Sequence, residues 1–573
     1  MMRRRRRRCG ADRISELPEE ILHHILSFLE VKDGAVMGEV STTWNRAWNS
    51  LSSLNFGNSY FLNRLDWTPR INSITHLLAI RQTHNICIQS FHLCLPYWPI
   101  WNPKIQNMLT ALVACNVKAL HFTMNTGKDP DYRYPTLPHN IFDVKSLNVL
   151  LLRGCEIELP PSNPPIKFSS LHSLYLQFVV LDHLFIQALS TNCCNLQLLS
   201  LHCFEGLTTI QLGETLSKLK KVEFSACPPE FDEVDIRAPN LVDLEMYQLT
   251  SHLKVFNITA CKALTSLLLS DMIVTEKWLE HVSCLPELQR LHLIKCKTLN
   301  TIDISSVSIQ HLVLHDCSLI TVKLDAPNLK CFSYRSSSFP TLKLKAPASL
   351  QPKIAFDSKS PDSDWYSKLL IFLANFSHYR AVELSSENDE VIIIPNDVRE
   401  SLVPPLYGTD RLHVKFQNKL KYSVVDIVDS LLWISPQLDT LSFHQADLKT
   451  LKFIYEDASD EDEKPCCTSL TWKCWRHKLK QVEMQNFTCM EQQELSNYFF
   501  TNLGLITDEV VGASCENEPS SGLGNLPRRS KRVRLPNQKL ANYICGIAKR
   551  RGRGSTGLNR IIRVGRVAVG KVG

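Results

Sequence analysis

Residues 288–345 read LQRLHLIKCKTLNTIDISSVSIQHLVLHDCSLITVKLDAPNLKCFSYRSSSFPTLKLK. Two copies of one pattern interleave in this stretch. The first series runs LQRLHL at Leu288, IQHLVL at Ile309 and LKCFSY at Leu329; the second runs LNTIDI at Leu299, LITVKL at Leu319 and FPTLKL at Phe339. Each unit is apolar-x-x-apolar-x-apolar, and its last three positions alternate as in a strand with one buried face. The second unit follows the first by 10 or 11 residues, which leaves no room for a ten-residue helix between them. Two strands per coil are therefore expected here, with Leu324 packed inward.

The same pattern extends upstream. First-series units begin at Leu147, Leu171, Leu196, Leu219, Leu241 and Leu264, with an earlier copy at Val117, and second-series units at Leu207, Phe231 and Leu253. A period near 23 residues lies in the 20–29 range of leucine-rich repeats, whose strands stack into a solenoid. A cysteine stands three positions past the last apolar residue of several units (Cys155, Cys227, Cys296, Cys317), and Ala-Pro-Asn-Leu closes two coils at Ala238–Leu241 and Ala326–Leu329. Proline ends the outer strand, and the next inner strand follows at once. Helices are expected on the outer side in two repeats, over 182–191 and 275–283, where Trp278, Leu279 and Val282 share a face.

Upstream of the array, residues 12–51 read DRISELPEEILHHILSFLEVKDGAVMGEVSTTWNRAWNSL. Three short amphipathic helices fit. Pro18 suits a first helical position, Ile21, Leu22, Ile25, Leu26 and Leu29 make one apolar stripe, and Asp33 can cap a second helix carrying Ala35, Val36 and Val40. Trp44 and Trp48 lie one turn apart on a third. Forty residues are too few to bury all of this alone, so part of it should face a partner. The segment resembles the F-box at the start of many plant F-box/leucine-rich-repeat proteins. The resemblance implies docking on the Skp-type adaptor of a cullin–RING ubiquitin ligase, with Leu17, Pro18, Ile21, Leu22, Ile25, Val40, Ser41, Trp44 and Trp48 on the motif positions. Thr42 and Thr43 stand where that family usually has a basic residue before the first Trp.

Beyond Leu350 the pattern weakens. Residues 362–376 read as a helix, and repeat-like strands return at Leu412, Leu438 and Leu479. The segment from Leu479 resembles the FBD module that ends many of the same plant proteins, through Leu479, Val482, Glu483, Phe487, Glu494, Leu495 and Tyr498. The expected fold class is α+β: an N-terminal three-helix F-box followed by a leucine-rich-repeat solenoid with strands on both sides of many coils. The expected divisions are a basic leader (1–11), the F-box (12–52), the solenoid (53–350), degenerate repeats with the FBD-like segment (351–505) and a basic tail (506–573).

Charge is distributed unevenly. The net +7 contains six arginines at Arg3–Arg8 and 14 Lys or Arg without an acid from Arg528 to Gly573, so the remainder is acidic at −13. Such blocks are solvated arms, suited to a nuclear address or to nucleic acid. An acidic run, Glu456–Glu463, reads as an inserted loop. No stretch has the length and apolarity of a membrane span, and no secretory h-region follows the N-terminus. The 20 cysteines then read as reduced thiols in cytosol or nucleus. Cys466, Cys467, Cys474 and His477 cluster, but their spacing fits no common zinc module. No phosphate-binding loop, nucleophile elbow or metalloprotease pair is present, and no cofactor is expected. The F-box resemblance implies a non-catalytic subunit, with the ligase chemistry on other subunits.

Two functions are consistent with these features. One is a ligase adaptor whose repeats hold an unidentified protein substrate; the other is a nucleic-acid-associated scaffold that uses its basic ends. For the first, side chains between the inward positions must face the open side of the sheet. These are Tyr175, His202, Lys221, Glu223, Asp243, Glu245 and Tyr247, then Arg290, His292, His311, His315 and Arg335. Acids dominate the middle repeats; Arg and His dominate the later ones.

Overall fold

A computed structural model describes residues 14–57, 68–95, 103–124, 134–160, 166–249, 253–358, 360–444, 447–455, 472–477 and 479–503. The basic leader, the acidic run 456–463 and the basic tail lie outside the described residues.

Three short helices open the chain: α1 (Glu19–Ser27), α2 (Val31–Gly38) and α3 (Thr42–Ser50). Pro18 is the residue just before α1, not its first helical one, and Glu19 and Glu20 fill the first turn, where carboxylates suit the positive end. Glu30, not Asp33, precedes α2, so that helix starts three residues earlier than a cap at Asp33 would place it. The face of α2 also differs from expectation. Val31 and the two glycines are buried, while Ala35, Val36 and Val40 are exposed. The cause is Trp48. A Cβ on Gly34 would come within 2.5 Å of its ring, and one on Gly38 would touch it at 3.5 Å. The indole fills the space that bare glycines leave, and this turns Ala35 and Val36 outward.

The main sheet begins directly after α3. Of its 18 described strands, all but the last two stack one per coil in parallel register, from Ser53–Phe56 through Ser90–Leu95, Ala119–Met124 and Val149–Glu156 to Thr440–His444. The inward positions align without slip: Leu150, Leu174, Leu199, Val222 and Leu244 are successive partners, as are Leu152, Leu176, Leu201, Phe224 and Met246. Each fully buried leucine is worth about 1.5–3 kcal/mol over an exposed one, and a one-residue slip would turn the whole set outward.

On the outer side, the second series forms two three-stranded parallel sheets. One holds Thr209–Leu212, Glu233–Ile236 and Val255–Asn257; the other holds Thr301–Ser305, Thr321–Asp325 and Thr341–Lys345. The expected outer helices are His183–Asn192 and Glu276–Ser283. Two are not the total: Thr68–Thr83 and Pro103–Ala114 occupy the first repeats, and Val424–Ile434 a late one. In the Ala-Pro-Asn-Leu turns, the asparagines bind the preceding coil: Asn240 donates to the Ser217 carbonyl at 2.7 Å and Asn328 to that of Val307 at 2.8 Å.

From strand Val149–Glu156 through strand His311–His315, a left-handed residue follows two positions past the second inward side chain of the pattern: Gly154, Phe178, Cys203, Ala226, Gln248, Asp271, Lys295 and Asp316 in succession. The turn lets the next residue point inward, where Cys155, Cys227, Cys296 and Cys317 are buried thiols. Gly154 is required more strictly than its counterparts, because a Cβ there would sit 2.5 Å from the Met124 carbonyl oxygen. Gly154→Ala should therefore cost about 1–3 kcal/mol, read as a lower urea midpoint. A parent-like midpoint would show that the coil relaxes freely.

No break in the ladder marks residue 350. Strands Lys353–Ala355, Ala381–Ser386 and Arg411–Phe416 continue in parallel register, although the sequence pattern has faded. The end is different. Leu448–Tyr455 and Leu479–Gln485 add antiparallel, so the strand at Leu479 is a closing hairpin and not another repeat. Helix Cys489–Leu503 follows it. Of the FBD-like residues, Leu479, Val482, Phe487 and Leu495 are buried, and the Tyr498 hydroxyl donates to Asp429 at 2.6 Å, a carboxylate that Arg399 also holds at 2.5 Å. The segment thus covers the last coil. Cys489 is disulfide-bonded, against the expectation that every cysteine is a reduced thiol.

Candidate functional site

The nine F-box positions separate by burial. Leu22 and Trp44 lie inside a small core with Leu26, Ala47 and Leu51. They hold the helices together, with Leu22 and Trp44 almost fully buried. Ser41 caps α3 by accepting from the Trp44 amide at 3.3 Å. Trp48 is half-buried between this core and the main one, and Leu17 and Ile25 are half-buried too. Pro18, Ile21 and Val40 are exposed, Ile21 at 45% and Val40 at 62%. Ile14, Phe28 and Val36 are exposed apolar residues that sequence reasoning left out of the contact set. For Val36, the signal was Gly34 and Gly38 on the opposite side of α2.

The F-box is fastened to the repeats. Arg81, buried on helix Thr68–Thr83, donates to the Leu51 carbonyl and, at 3.3 Å, to that of Trp48, so it satisfies orphan acceptors at the end of α3. Burial lowers its pKa to about 10.

On the open face of the main sheet, all twelve positions read from the sequence point away from the core, half-buried or exposed. Lys221, Glu223, Asp243 and Glu245 form one group on two adjacent strands, where Lys221 pairs with Asp243 and Glu223 with Glu245 in register. Lys221 bonds Glu245 and lies 3.6 Å from Asp243; Tyr247 donates to Glu245 at 2.6 Å. Burial opposes the charge on Glu245, but the bonds from Lys221 and Tyr247 outweigh it and hold its carboxyl below the usual range. Burial and then Glu245 push Glu223 up. Asp243 keeps one buried carboxylate oxygen without a hydrogen-bond partner.

The later repeats are less cationic than their residue types suggest. Burial, aided by neighbouring arginines, lowers the pKa of His292 and His315, so both are neutral at pH 7. Charge there comes from Arg290 and from Arg335, which lies 3.7 Å from Glu387. His202 is also held low, by burial and then by Arg153. Sequence reasoning missed Arg153, whose neighbours come from other coils. Among the described residues, no group of three or more His, Cys, Asp or Glu could hold a metal ion, and no helix is long and apolar enough to cross a membrane.

Comparison with known proteins finds three family matches along the chain. The F-box domain family matches residues 14–56, the leucine-rich repeats of FBD-associated F-box protein At5g56370 match residues 105–263, and the leucine-rich-repeat domain of At1g61320/AtMIF1 matches 250–495. Three curated relatives come from Arabidopsis thaliana: putative F-box/FBD/LRR-repeat protein At4g13965 is 24% identical over 50% of this chain and 66% of its own length. F-box/FBD/LRR-repeat protein At1g13570 is 26% identical over 34% and 45%, and putative F-box/FBD/LRR-repeat protein At3g56780 is 24% identical over 65% and 83%. The chain thus spans about half to two thirds of the length of the first two relatives. A solved structure, the plant peptide hormone receptor RGFR1 in complex with RGF2, aligns with 62% of this chain and 69% of its own at 13% identity and a TM-score of 0.23, a level that adds nothing to the topology described above.

Proposed function

We propose that this chain, an F-box/leucine-rich-repeat protein of the plant kind, is the substrate-recruiting adaptor of a Skp–cullin–F-box ubiquitin ligase. The F-box docks on the Skp-type adaptor, the open face of the repeats holds a protein target, and the transfer chemistry belongs to other subunits. One observation carries the reading. The three helices close their own core with Leu22, Leu26 and Trp44, yet leave Pro18, Ile21 and Val40 outside it. Apolar side chains left exposed on so small a unit are what an interface buries.

Affinity purification with mass spectrometry, with and without residues 12–51, tests it. The Skp-type adaptor and cullin should co-purify with the full chain and vanish on deletion. Their absence from both samples would refute the proposal. For the target side, charge complementarity governs specificity and association rate. Reversing Glu223, Asp243 and Glu245 together to Lys should cut target capture by about tenfold or more and leave adaptor binding intact. Unchanged capture would place recognition elsewhere, after Leu350. The basic ends fit a nuclear address or nucleic-acid contact in the same protein, with residence in nucleus, cytoplasm or both. Deleting them should lower nuclear accumulation without shifting the melting temperature.

A further inference from the structure

Arg153, Phe178 and His202 come from three successive coils. In the main sheet Arg153 is the register partner of Gln177, and Gln177 of His202, so three outward side chains follow one another at the strand spacing of about 4.8 Å. Thr123 flanks Arg153 on the other side. Phe178, the next residue after Gln177, sits between the two basic groups. The Arg153 guanidinium lies 5.0 Å from its ring centroid, and the His202 ring meets it edge-on at 5.7 Å. His202 is in turn held by the Ser225 hydroxyl.

Two features set this group apart. Phe178 has φ +51, in the left-handed turn position that its neighbours fill with Gly154, Cys203, Ala226, Gln248, Asp271, Lys295 and Asp316. A bulky aromatic residue there is a true outlier, and such strain persists where the surroundings hold it for a function. What it holds is the second feature. Arg153 is half-buried, stacked in one orientation, and makes no ion pair or hydrogen bond among the described residues. In the middle repeats the charged groups are partnered: Lys221 holds Glu245 and Asp243, and Glu223 accepts from the Ser200 hydroxyl. A planar fork of N–H donors, fixed in direction and left unpaired, is the geometry that binds an oxyanion in bidentate fashion.

We infer that Arg153, stacked on Phe178 beside His202, is an oxyanion-recognition site that takes a carboxylate or phosphate group of the protein target. The inference rests on the reading that the open face is the target surface. Preorganisation by the ring lowers the ordering cost of the guanidinium, and Gln177 and Thr123 can supply further donors from the same row.

The test uses the full chain, co-expressed with its adaptor. Immobilised extended peptides with random flanks carry one central phosphoserine, glutamate or glutamine. The native chain should retain at least one anionic set about tenfold better than the glutamine set. Arg153→Gln should abolish the difference at an unchanged melting temperature, Arg153→Lys should restore only part of it, and Phe178→Asn, which tolerates the left-handed backbone, should weaken it several-fold. Arg237→Gln, just past the outer strand Glu233–Ile236, should have no effect. Preference for both anionic sets identifies a general oxyanion site; preference for phosphoserine alone identifies a phosphate site. Equal retention of all three sets, full discrimination by Arg153→Gln, or an equal loss in Arg237→Gln would overturn the inference. Adaptor content is read on the same preparations. A chain that discriminates anions but carries no adaptor refutes the ligase reading and leaves the site standing, whereas the reverse result refutes the site alone.

Discussion

Leu324→Asp should destabilise the solenoid by about 4 kcal/mol, while Ile320→Asp, four residues earlier in the same outer unit, should be nearly neutral. Both positions are apolar in the sequence, but Leu324 is 2% exposed and Ile320 is 64% exposed. Leu324 pairs in register with Ile304 and Leu344 in the outer sheet and packs into the common core. Replacing it loses about 1.5–3 kcal/mol of burial and adds a carboxyl group that must either remain charged without a partner or take up a proton. Strand Thr321–Asp325 is the middle of its sheet, so both neighbouring coils lose a contact, and stability in a solenoid is largely a sum of such neighbour terms. Urea denaturation followed by circular dichroism reads the effect. Equal midpoints for Leu324→Asp and the parent would mean that the outer sheet does not close the core.

Combining Ile21→Asp with Val40→Asp should weaken binding of the Skp-type adaptor by about a thousandfold without unfolding the F-box. Anchors of this kind are worth about 2 kcal/mol each when truncated, and two such losses convert to roughly that factor if they add. A carboxylate at each site adds desolvation in the complex, while in the free chain both positions already face water. Leu22→Asp is the contrasting variant. It should melt the three-helix unit, because Leu22 touches Trp44 and Leu26 inside it. Titration calorimetry against the purified adaptor distinguishes the two behaviours. An unchanged dissociation constant for the double variant would remove Ile21 and Val40 from the interface.

The amino-acid sequence by itself determined the strands of both series, the helices at 183–192 and 276–283, and the three-helix start. All of these are written in consecutive residues: a period of two within a strand, about 23 between coils, and caps beside helices. It also determined which side chains of the main sheet face outward, since alternation admits one answer once the leucines are inside. The tertiary structure decided what depends on residues from different coils meeting. Trp48 settled against Gly34 and Gly38 and turned Ala35 and Val36 outward, reversing the face that their hydrophobicity suggested. Burial on the open face left His292 and His315 neutral, so a surface that reads as basic is mostly polar. The ladder beyond residue 350 persists because each strand needs only a backbone edge and a few inward apolar side chains, not a consensus. Arg153 and Phe178 lie 25 residues apart with no local signal joining them; the register of adjacent strands and one left-handed turn bring guanidinium and ring together.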